Sequence, residues 1–280
     1  MVIINGRKIR DEILAEIKKE IALLPFRPVF CDILAGENKA SKQYVEMKKR
    51  FAESIGLEFL SANFKSEITA EELIKEIEIL NKMPNMCGII VQLPLPGHIE
   101  GRKVLDAISP ELDADCLGKV RSKKFYSGKT AGGFPTALAC MNLLDSLNLD
   151  LKQKNIVVLG QGELVGRPVA AMLGFRGLNP AIVRSETEHK ENIIKEADVI
   201  ISGIGQGKFV TGDMVKNGVV IIDAGTSEEN SSIVGDVDFD SVKEKASFIS
   251  PVPGGVGPVT IAMLFKNVLE AAKKKNTSHS

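Results

Sequence analysis

Apolar positions along the chain follow two patterns, and each predicts its own kind of element. Ile9, Ile13, Leu14, Ile17, Ile21 and Leu24 recur at helical spacing among charges, which predicts an amphipathic helix over 8–24 ended by Pro25 and Pro28. Short unbroken apolar runs instead read as strands buried on both faces. Val29 to Leu34 is the first, followed by a glycine and polar loop and a helix to about Ile55 with Ser41 as its N-cap. Leu57 to Asn63 predicts a second strand, Ala70 to Asn81 a helix, and Gly88 to Val91 a third strand. Farther on, Ile156 to Leu159, Ala181 to Val183, Val199 to Gly205 and Val219 to Gly225 are four more apolar runs, each ending in polar or glycine residues. Helical stretches separate the first three of these, so they predict a parallel sheet that binds ligands at its carboxyl edge.

The turn after Ile156 to Leu159 carries Gly160, Gly162 and Gly166 before helix-compatible residues. Glycines there let the backbone turn sharply, approach a ligand and bring a helix close to its strand, and the helix start offers free N–H groups to a pyrophosphate. The spacing G-x-G-x-x-x-G is one residue longer than the usual dinucleotide fingerprint. By itself it fits a ligand-free strand–turn–helix equally well, and the four-strand context favours the nucleotide site.

Composition narrows the class. A chain of 280 residues is long enough to bury a large core and divide into two domains. Lys and Arg total 36 against 36 Asp and Glu, so no global field argues for nucleic acid or an anionic membrane, and small-molecule chemistry is expected. Cys31, Cys87, Cys116 and Cys140 lack C-x-x-C spacing, and with His98, His189 and His279 as the only histidines no metal site is expected. The thiols read as buried and free in a reducing compartment. No run has signal-peptide or membrane-span character, which points to a cytoplasmic protein. Lys273 to Ser280 reads as a frayed polar tail.

Several side chains have chemical possibilities. Tyr44 and Lys48 stand four apart on one helix face, near a helix start whose dipole disfavours a cation and so suits a proton carrier. Lys48 also fits a solvated run with Lys49 and Arg50, and Tyr44 a packing residue. Gln92 closes the third strand ahead of Pro94 and Pro96. Asp113 and Asp115 alternate along an extended segment, suited either to an amino-heterocycle or to a solvated turn. Pro251 to Pro258 is a rigid loop with glycines at 254, 255 and 257, open to a flat ligand, and Thr260 begins a helix over 261–273.

Ser41-x-x-Tyr44-Val45-x-x-Lys48, Gln92-Leu-Pro-Leu-Pro96, Asp113-x-Asp115, Gly160-x-Gly162-x-x-Val165-Gly166-x-Pro168 and Pro251 to Thr260 occur in this order. Together they resemble the bifunctional methylenetetrahydrofolate dehydrogenase/methenyltetrahydrofolate cyclohydrolase family over nearly the whole chain. The resemblance implies an α/β protein of two domains. The first is a folate-binding catalytic domain, 1–136 completed by 259–280, and the second a Rossmann-type NADP-binding domain with a parallel sheet, 137–258. It implies oxidation of 5,10-methylenetetrahydrofolate to the methenyl form, hydrolysis to 10-formyltetrahydrofolate, a role in one-carbon metabolism and purine biosynthesis, and a homodimer. By motif match Lys48 transfers protons, Tyr44 lines the pterin, Gln92 orients Lys48 and Asp115 holds the pterin. Pro253, Gly254 and Gly255 complete the substrate site. Thr136, Gly160, Gln161, Gly162, Val165, Gly166, Gly257 and Thr260 fall to the cofactor.

The cofactor itself is read from the second strand of that sheet. It ends in Val183-Arg184-Ser185 and lacks the acidic residue that binds the ribose of NAD, so NADP is expected, with Arg184 as charge partner and Ser185 as hydroxyl donor. Glu186 next door is the one feature against it. The chain departs from the family pattern at Leu112, Cys116, Phe134 to Ala137 and Gln161-Gly162. These departures leave two other readings open, a dehydrogenase with weak or absent cyclohydrolase activity and a non-catalytic folate- or nucleotide-binding protein.

Overall fold

The structure is a computed structural model and describes residues 1–229 and 232–277, so His279 lies outside the described residues. In chain order the first elements are β1 (Val2–Ile3), α1 (Gly6–Ile21), β2 (Val29–Ala35), α2 (Lys39–Ser54), β3 (Glu58–Phe64), α3 (Ala70–Asn81) and β4 (Met86–Val91). Then come α4 (Gly101–Asp106), α5 (Lys119–Tyr126), α6 (Pro135–Asp145), β5 (Ile156–Leu159), α7 (Gly166–Phe175) and β6 (Ala181–Val183). The chain continues with α8 (Lys190–Lys195), β7 (Val199–Ser202), β8 (Val220–Asp223), β9 (Ser227–Glu229) and β10 (Ser232–Val234). It closes with α9 (Phe239–Val242), β11 (Phe248–Ile249) and α10 (Val256–Thr277). Two compact units result, one of Glu12–Pro135 with Leu264–Ser280, the other of Met1–Asp11 with Thr136–Met263.

The first unit is built on a parallel sheet of order β3-β2-β4. Its central strand, β2, is buried at every residue, as expected of a strand covered on both faces. Helix α2 lays a stripe of Ser41, Val45, Lys48, Ala52 and Ile55 inward, all buried. Four of these suit a core and one carries a charge. Thr69 and Glu72 form a capping box that starts α3 where the polar-to-apolar switch predicted it. The end of α10 packs on the sheet: a Cβ at Gly88 would come 2.6 Å from Val268, and the Phe30 and Phe265 rings meet edge to face at 5.5 Å. Asn267 fastens the same helix by donating to Ala114 O at 2.8 Å and Gly133 O at 2.7 Å.

The second unit holds a six-stranded sheet of order β1-β11-β8-β7-β5-β6, with every pair parallel. Strand β5 has β6 on one side and β7 on the other, so the order of connection reverses there. In open parallel sheets a ligand crevice forms at such a switch point, outside the carboxyl ends of the strands. Strands β9 and β10 form a separate antiparallel pair.

Several expectations need correction. Residues 1–11 and 259–263 fall with the six-stranded unit and not with the first. The reason is that Val2 N donates to Ser247 O at 2.7 Å and Ile4 N to Ile249 O at 2.8 Å, which adds β1 to that sheet. A two-residue strand is too short to show periodicity. Ser41 is not the N-cap of α2: Asn38 is, its side chain accepting from Ser41 N at 3.0 Å. Helix α10 starts at Val256, inside the proline–glycine loop, and Thr260 sits one turn in, donating its hydroxyl to Val256 O at 3.2 Å. The supposed tail is helical to Thr277, residues 278–280 lying outside the described residues. Among the described residues no helix is long and apolar enough to cross a membrane.

Candidate active site

In the three-stranded unit, the predicted residues Lys48 and Gln92 come together. Gln92 follows β4, whose hydrogen bonding continues through Gln92 N to Ile33 O at 2.8 Å, and this places its side chain at the carboxyl edge of the sheet. The Lys48 ammonium donates to Gln92 Oε1 at 2.8 Å, while Gln92 Nε2 donates to Leu93 O at 3.1 Å and so fixes which end of the amide faces the lysine. The peptide bonds before Pro94 and Pro253 are both cis.

Lys48 is 7% exposed, which removes the solvated-run reading. It also lies past the midpoint of the 16-residue helix α2, where the dipole of the helix start has faded, so the dipole is not what acts on it. Its charge partner is a residue that motif reading passed over. Asp32, in the centre of β2 and fully buried, has Oδ2 at 2.7 Å from Lys48 Nζ. Among the described residues neither Asp32 oxygen meets any other hydrogen-bond donor. Burial pushes the Asp32 carboxyl above its usual range in spite of the ammonium beside it. The signal was present in the sequence, as one carboxylate inside an otherwise apolar run from Val29 to Ala35.

The two aspartates of the Asp113-x-Asp115 motif part ways. Asp113 is buried and accepts from Leu117 N at 3.3 Å and Gly118 N at 2.8 Å, which shapes the turn into α5. Among the described residues no backbone N–H donates to Asp115 in this way. Protein crowds its carboxyl group, although the residue keeps a partly open edge. Loss of solvation pushes it up to about 7, Lys48 pulling it down and Asp113 and Asp32 pushing it further up. A carboxyl poised in this way favours a partner that brings N–H groups to it. Tyr44, one turn from Lys48, is 46% exposed.

The six-stranded unit contains the glycine turn at the switch point. Gly160 follows β5 with φ of +89°, in the left-handed region that glycine tolerates. A Cβ on Gly166 would overlap Gly160 O, so that glycine is required for helix α7 to start against the turn. Gly162 is different: a Cβ there meets nothing nearer than Gly203 O at 3.9 Å, so the open space beside it suits a ligand. Gln161 folds back, Nε2 donating to Gly160 O at 3.1 Å. Gly203, after β7, was missed by motif reading; a Cβ on it would come 2.7 Å from Val165 Cβ.

At the carboxyl ends of β7 and β8, two buried carboxylates organise the neighbouring loops. Asp236 accepts from Ser202 Oγ at 2.7 Å, Ile204 N at 2.8 Å and Gln206 N at 2.9 Å. Asp223 accepts from Gly225 N at 2.9 Å and Val237 N at 3.0 Å, and burial pushes its carboxyl up to about 7. Pro253, Gly254, Gly255, Gly257, Thr260 and Thr136 belong to this unit as well. Gly254 has φ of +113° and open space at its Cβ position. At the end of β6, Arg184 Nη1 lies 3.8 Å from Glu186 Oε1 and Ser185 Oγ donates to Glu186 Oε2 at 2.9 Å, so the acid next door engages both expected phosphate partners.

The comparisons with known proteins agree with both halves. Residues 4–115 match the tetrahydrofolate dehydrogenase/cyclohydrolase catalytic domain, and residues 135–276 the NAD(P)-binding domain of the same family. The chain belongs to that tetrahydrofolate dehydrogenase/cyclohydrolase family. It is 39% identical to the bifunctional protein FolD of Nautilia profundicola over 98% of each chain. The bifunctional FolD enzyme of Campylobacter jejuni superposes with a TM-score of 0.94 at 36% identity, over 98% of this chain and 99% of that one. The Trypanosoma brucei FolD, solved with NADP cofactor and inhibitor, gives 0.92 at 36% identity over 98% of each.

Two departures from the family pattern now have a structural account. Cys116 takes a left-handed turn, with φ of +62°, and Leu112 holds the adjoining backbone by accepting from Ile89 N at 2.7 Å. Phe134 is buried in the three-stranded unit, its ring 5.1 Å from Phe125 and 5.8 Å from Tyr126, so it serves an aromatic core there. All four cysteines are buried and free. Among the described residues no three His, Cys, Asp or Glu side chains group as metal ligands.

Proposed function

We propose that this chain oxidises 5,10-methylenetetrahydrofolate to 5,10-methenyltetrahydrofolate with NADP and hydrolyses the product to 10-formyltetrahydrofolate. The observation that carries the reading is the buried ammonium of Lys48 held between Asp32 and Gln92, in a chain that belongs to the family. A charge so costly to bury needs a use, and hydrolysis supplies one, because water must lose a proton as it adds to the methenyl carbon. Lys48 is the proton-transfer residue, Gln92 orients it, Tyr44 lines the pterin, and Asp115 accepts from the pterin N–H groups. NADP, when bound, supplies the hydride acceptor. Gly160, Gln161, Gly162, Val165 and Gly166 hold its pyrophosphate, Arg184 and Ser185 its 2′-phosphate, and Thr136, Gly257 and Thr260 lie along the remainder. A homodimer belongs to the same reading.

An absorbance assay of methenyl-folate formation, run with NADP and then NAD, followed by an assay of methenyl-folate decay, tests the whole. Formation and accelerated decay are expected. Formation alone would leave a monofunctional dehydrogenase, and neither would leave a binding protein.

Two variants test the cofactor site. Gly162→Ala meets no protein atom nearer than 3.9 Å, so its melting temperature should match wild type while the KM for the nucleotide rises roughly tenfold, as close backbone approach is lost. Gly166→Ala should instead destabilise by about 1–3 kcal/mol, because the new methyl overlaps the turn. An unchanged nucleotide KM in Gly162→Ala would remove the turn from the site. Arg184→Ala should raise the NADP KM roughly tenfold or more with little effect on NAD, and Glu186→Gln should lower it by releasing Arg184 and Ser185. Equal use of both nucleotides, with the NADP KM unmoved in Arg184→Ala, would contradict the assignment.

A further inference from the structure

We infer that Asp32 is a positioning residue that also stores the proton of Lys48 during hydrolysis, so that the working base is a Lys48–Asp32 pair and not the lysine alone. The inference rests on the reading of Lys48 as the proton carrier and adds a residue to it. Three observations carry it. The separation of Lys48 Nζ and Asp32 Oδ2 is 2.7 Å, within reach of direct proton transfer. Lys48 is the ion-pair partner of Asp32, and among the described residues no backbone or other side-chain N–H donates to either Asp32 oxygen, so none is committed to stabilising its charge. The side chain is fully buried in the central strand, and such a site tolerates a neutral acid more readily than a charge.

Among the described residues the other groups beside the pair are the Gln92 amide, 2.8 Å from the ammonium, and the Asp115 carboxyl from the segment after β4, which feels both Lys48 and Asp32. Across the sheet the register partners of Asp32 are Ser61 and Ile90, neither of them charged. Among the described residues only Asp32 lies at ion-pair distance from Lys48.

The steps balance as follows. At rest the pair is ammonium and carboxylate. A cationic methenyl ring arriving beside Lys48 disfavours the ammonium, and one proton moves from Nζ to the Asp32 carboxylate, leaving a neutral amine and a neutral acid. Water oxygen then bonds to the methenyl carbon as the amine takes one of its protons. The resulting ammonium gives a proton to pterin N5 as the carbon–N5 bond breaks, and the amine accepts the hydroxyl proton as the formyl C=O forms. The pair ends with an ammonium and a protonated Asp32, which releases the one proton that hydrolysis of a cation must produce. Hydride transfer from methylene-folate uses none of these steps.

Asp32→Asn keeps the shape and an acceptor oxygen but cannot take the proton. Its kcat for methenyl-folate hydrolysis should fall about 10- to 100-fold with KM little changed and an altered pH profile, while methylene-folate oxidation falls by a smaller factor. Hydrolysis by Asp32→Asn at the wild-type rate, with the wild-type pH profile, would make Asp32 a structural counter-ion and overturn the inference alone. A wild-type protein unable to hydrolyse methenyl-folate would overturn the functional reading and this one with it. Infrared difference spectra of wild-type protein carrying isotope-labelled aspartate give a test that needs no folded Asp32 variant. Adding methenyl-folate should produce a new protonated-carboxyl band in the wild type and no such change in Lys48→Met, whose Asp32 has no ammonium to take a proton from, and absence of that new band from the wild type would also overturn the inference.

Discussion

Lys48→Met is expected to lower methenyl-folate hydrolysis by about 10²–10⁴-fold, the range that a positioned acid–base group supplies. Methylene-folate oxidation should suffer less, since hydride transfer asks mainly for alignment of two ligands. The same substitution has a second, physical signature. Asp32 is left buried without its ammonium, and breaking a buried ion pair on one side costs about 3–5 kcal/mol. That cost depends on pH with a definite sign. The Asp32 carboxyl already titrates above its unfolded range, and without Lys48 it must titrate higher still. Below the unfolded carboxylate range Asp32 is neutral in both states and the penalty is absent; it grows as pH rises toward the folded-state value. Melting curves of wild type and Lys48→Met should therefore converge near pH 4 and separate toward neutrality. Undiminished hydrolysis in the variant would take Lys48 out of the mechanism, and melting curves with a constant separation would take Asp32 out of the pair.

Asp115→Ala should reduce both activities together, by about 10- to 100-fold in kcat/KM, because a charged hydrogen bond to the ligand is lost in either step. Its stability should move the other way. The Asp115 carboxyl is pushed up to about 7 by loss of solvation and by Asp113 and Asp32, well above an unfolded aspartate. The charged form thus weakens the unliganded fold progressively from about pH 4 to 7, by up to about 4 kcal/mol. Removing it should leave the unliganded variant at least as heat-resistant as wild type at neutral pH, with the advantage shrinking in acid. Paired kinetic and thermal measurements check this. A variant that is both inactive and less stable at pH 7 would mark Asp115 as a structural acceptor like Asp113.

Much of this arrangement was legible along the chain, for a local reason. Strand β6 and helix α3 begin and end where apolar runs, caps and breakers put them, since such signals act within a few residues. The glycine turn was legible because a left-handed φ at Gly160 and the close approach at Gly166 leave few other residues possible. The partition of the chain was not legible at its ends. Val2 and Ile3 form a strand only because Ser247 to Ile249 present a free edge, and nothing near residue 2 encodes that.

The amino-acid sequence by itself determined the two alternating α/β halves, the nucleotide-type turn and the set of chemically suited residues, Tyr44, Lys48, Gln92 and Asp115. Tertiary structure alone decided what those residues experience. In the sequence Lys48 is one of three consecutive cations, and only the packing of α2 on the sheet turns it inward while Arg50 stays in solvent. Asp113 and Asp115 look equivalent two residues apart, yet the turn into α5 gives the backbone N–H groups to the first and leaves the second without them. Asp32 reads as an anomaly in an apolar strand until a lysine 16 positions later is folded against it. Charge, burial and hydrogen bonding depend on neighbours brought from elsewhere in the chain, and the electrostatics of the site therefore exist only in the folded protein.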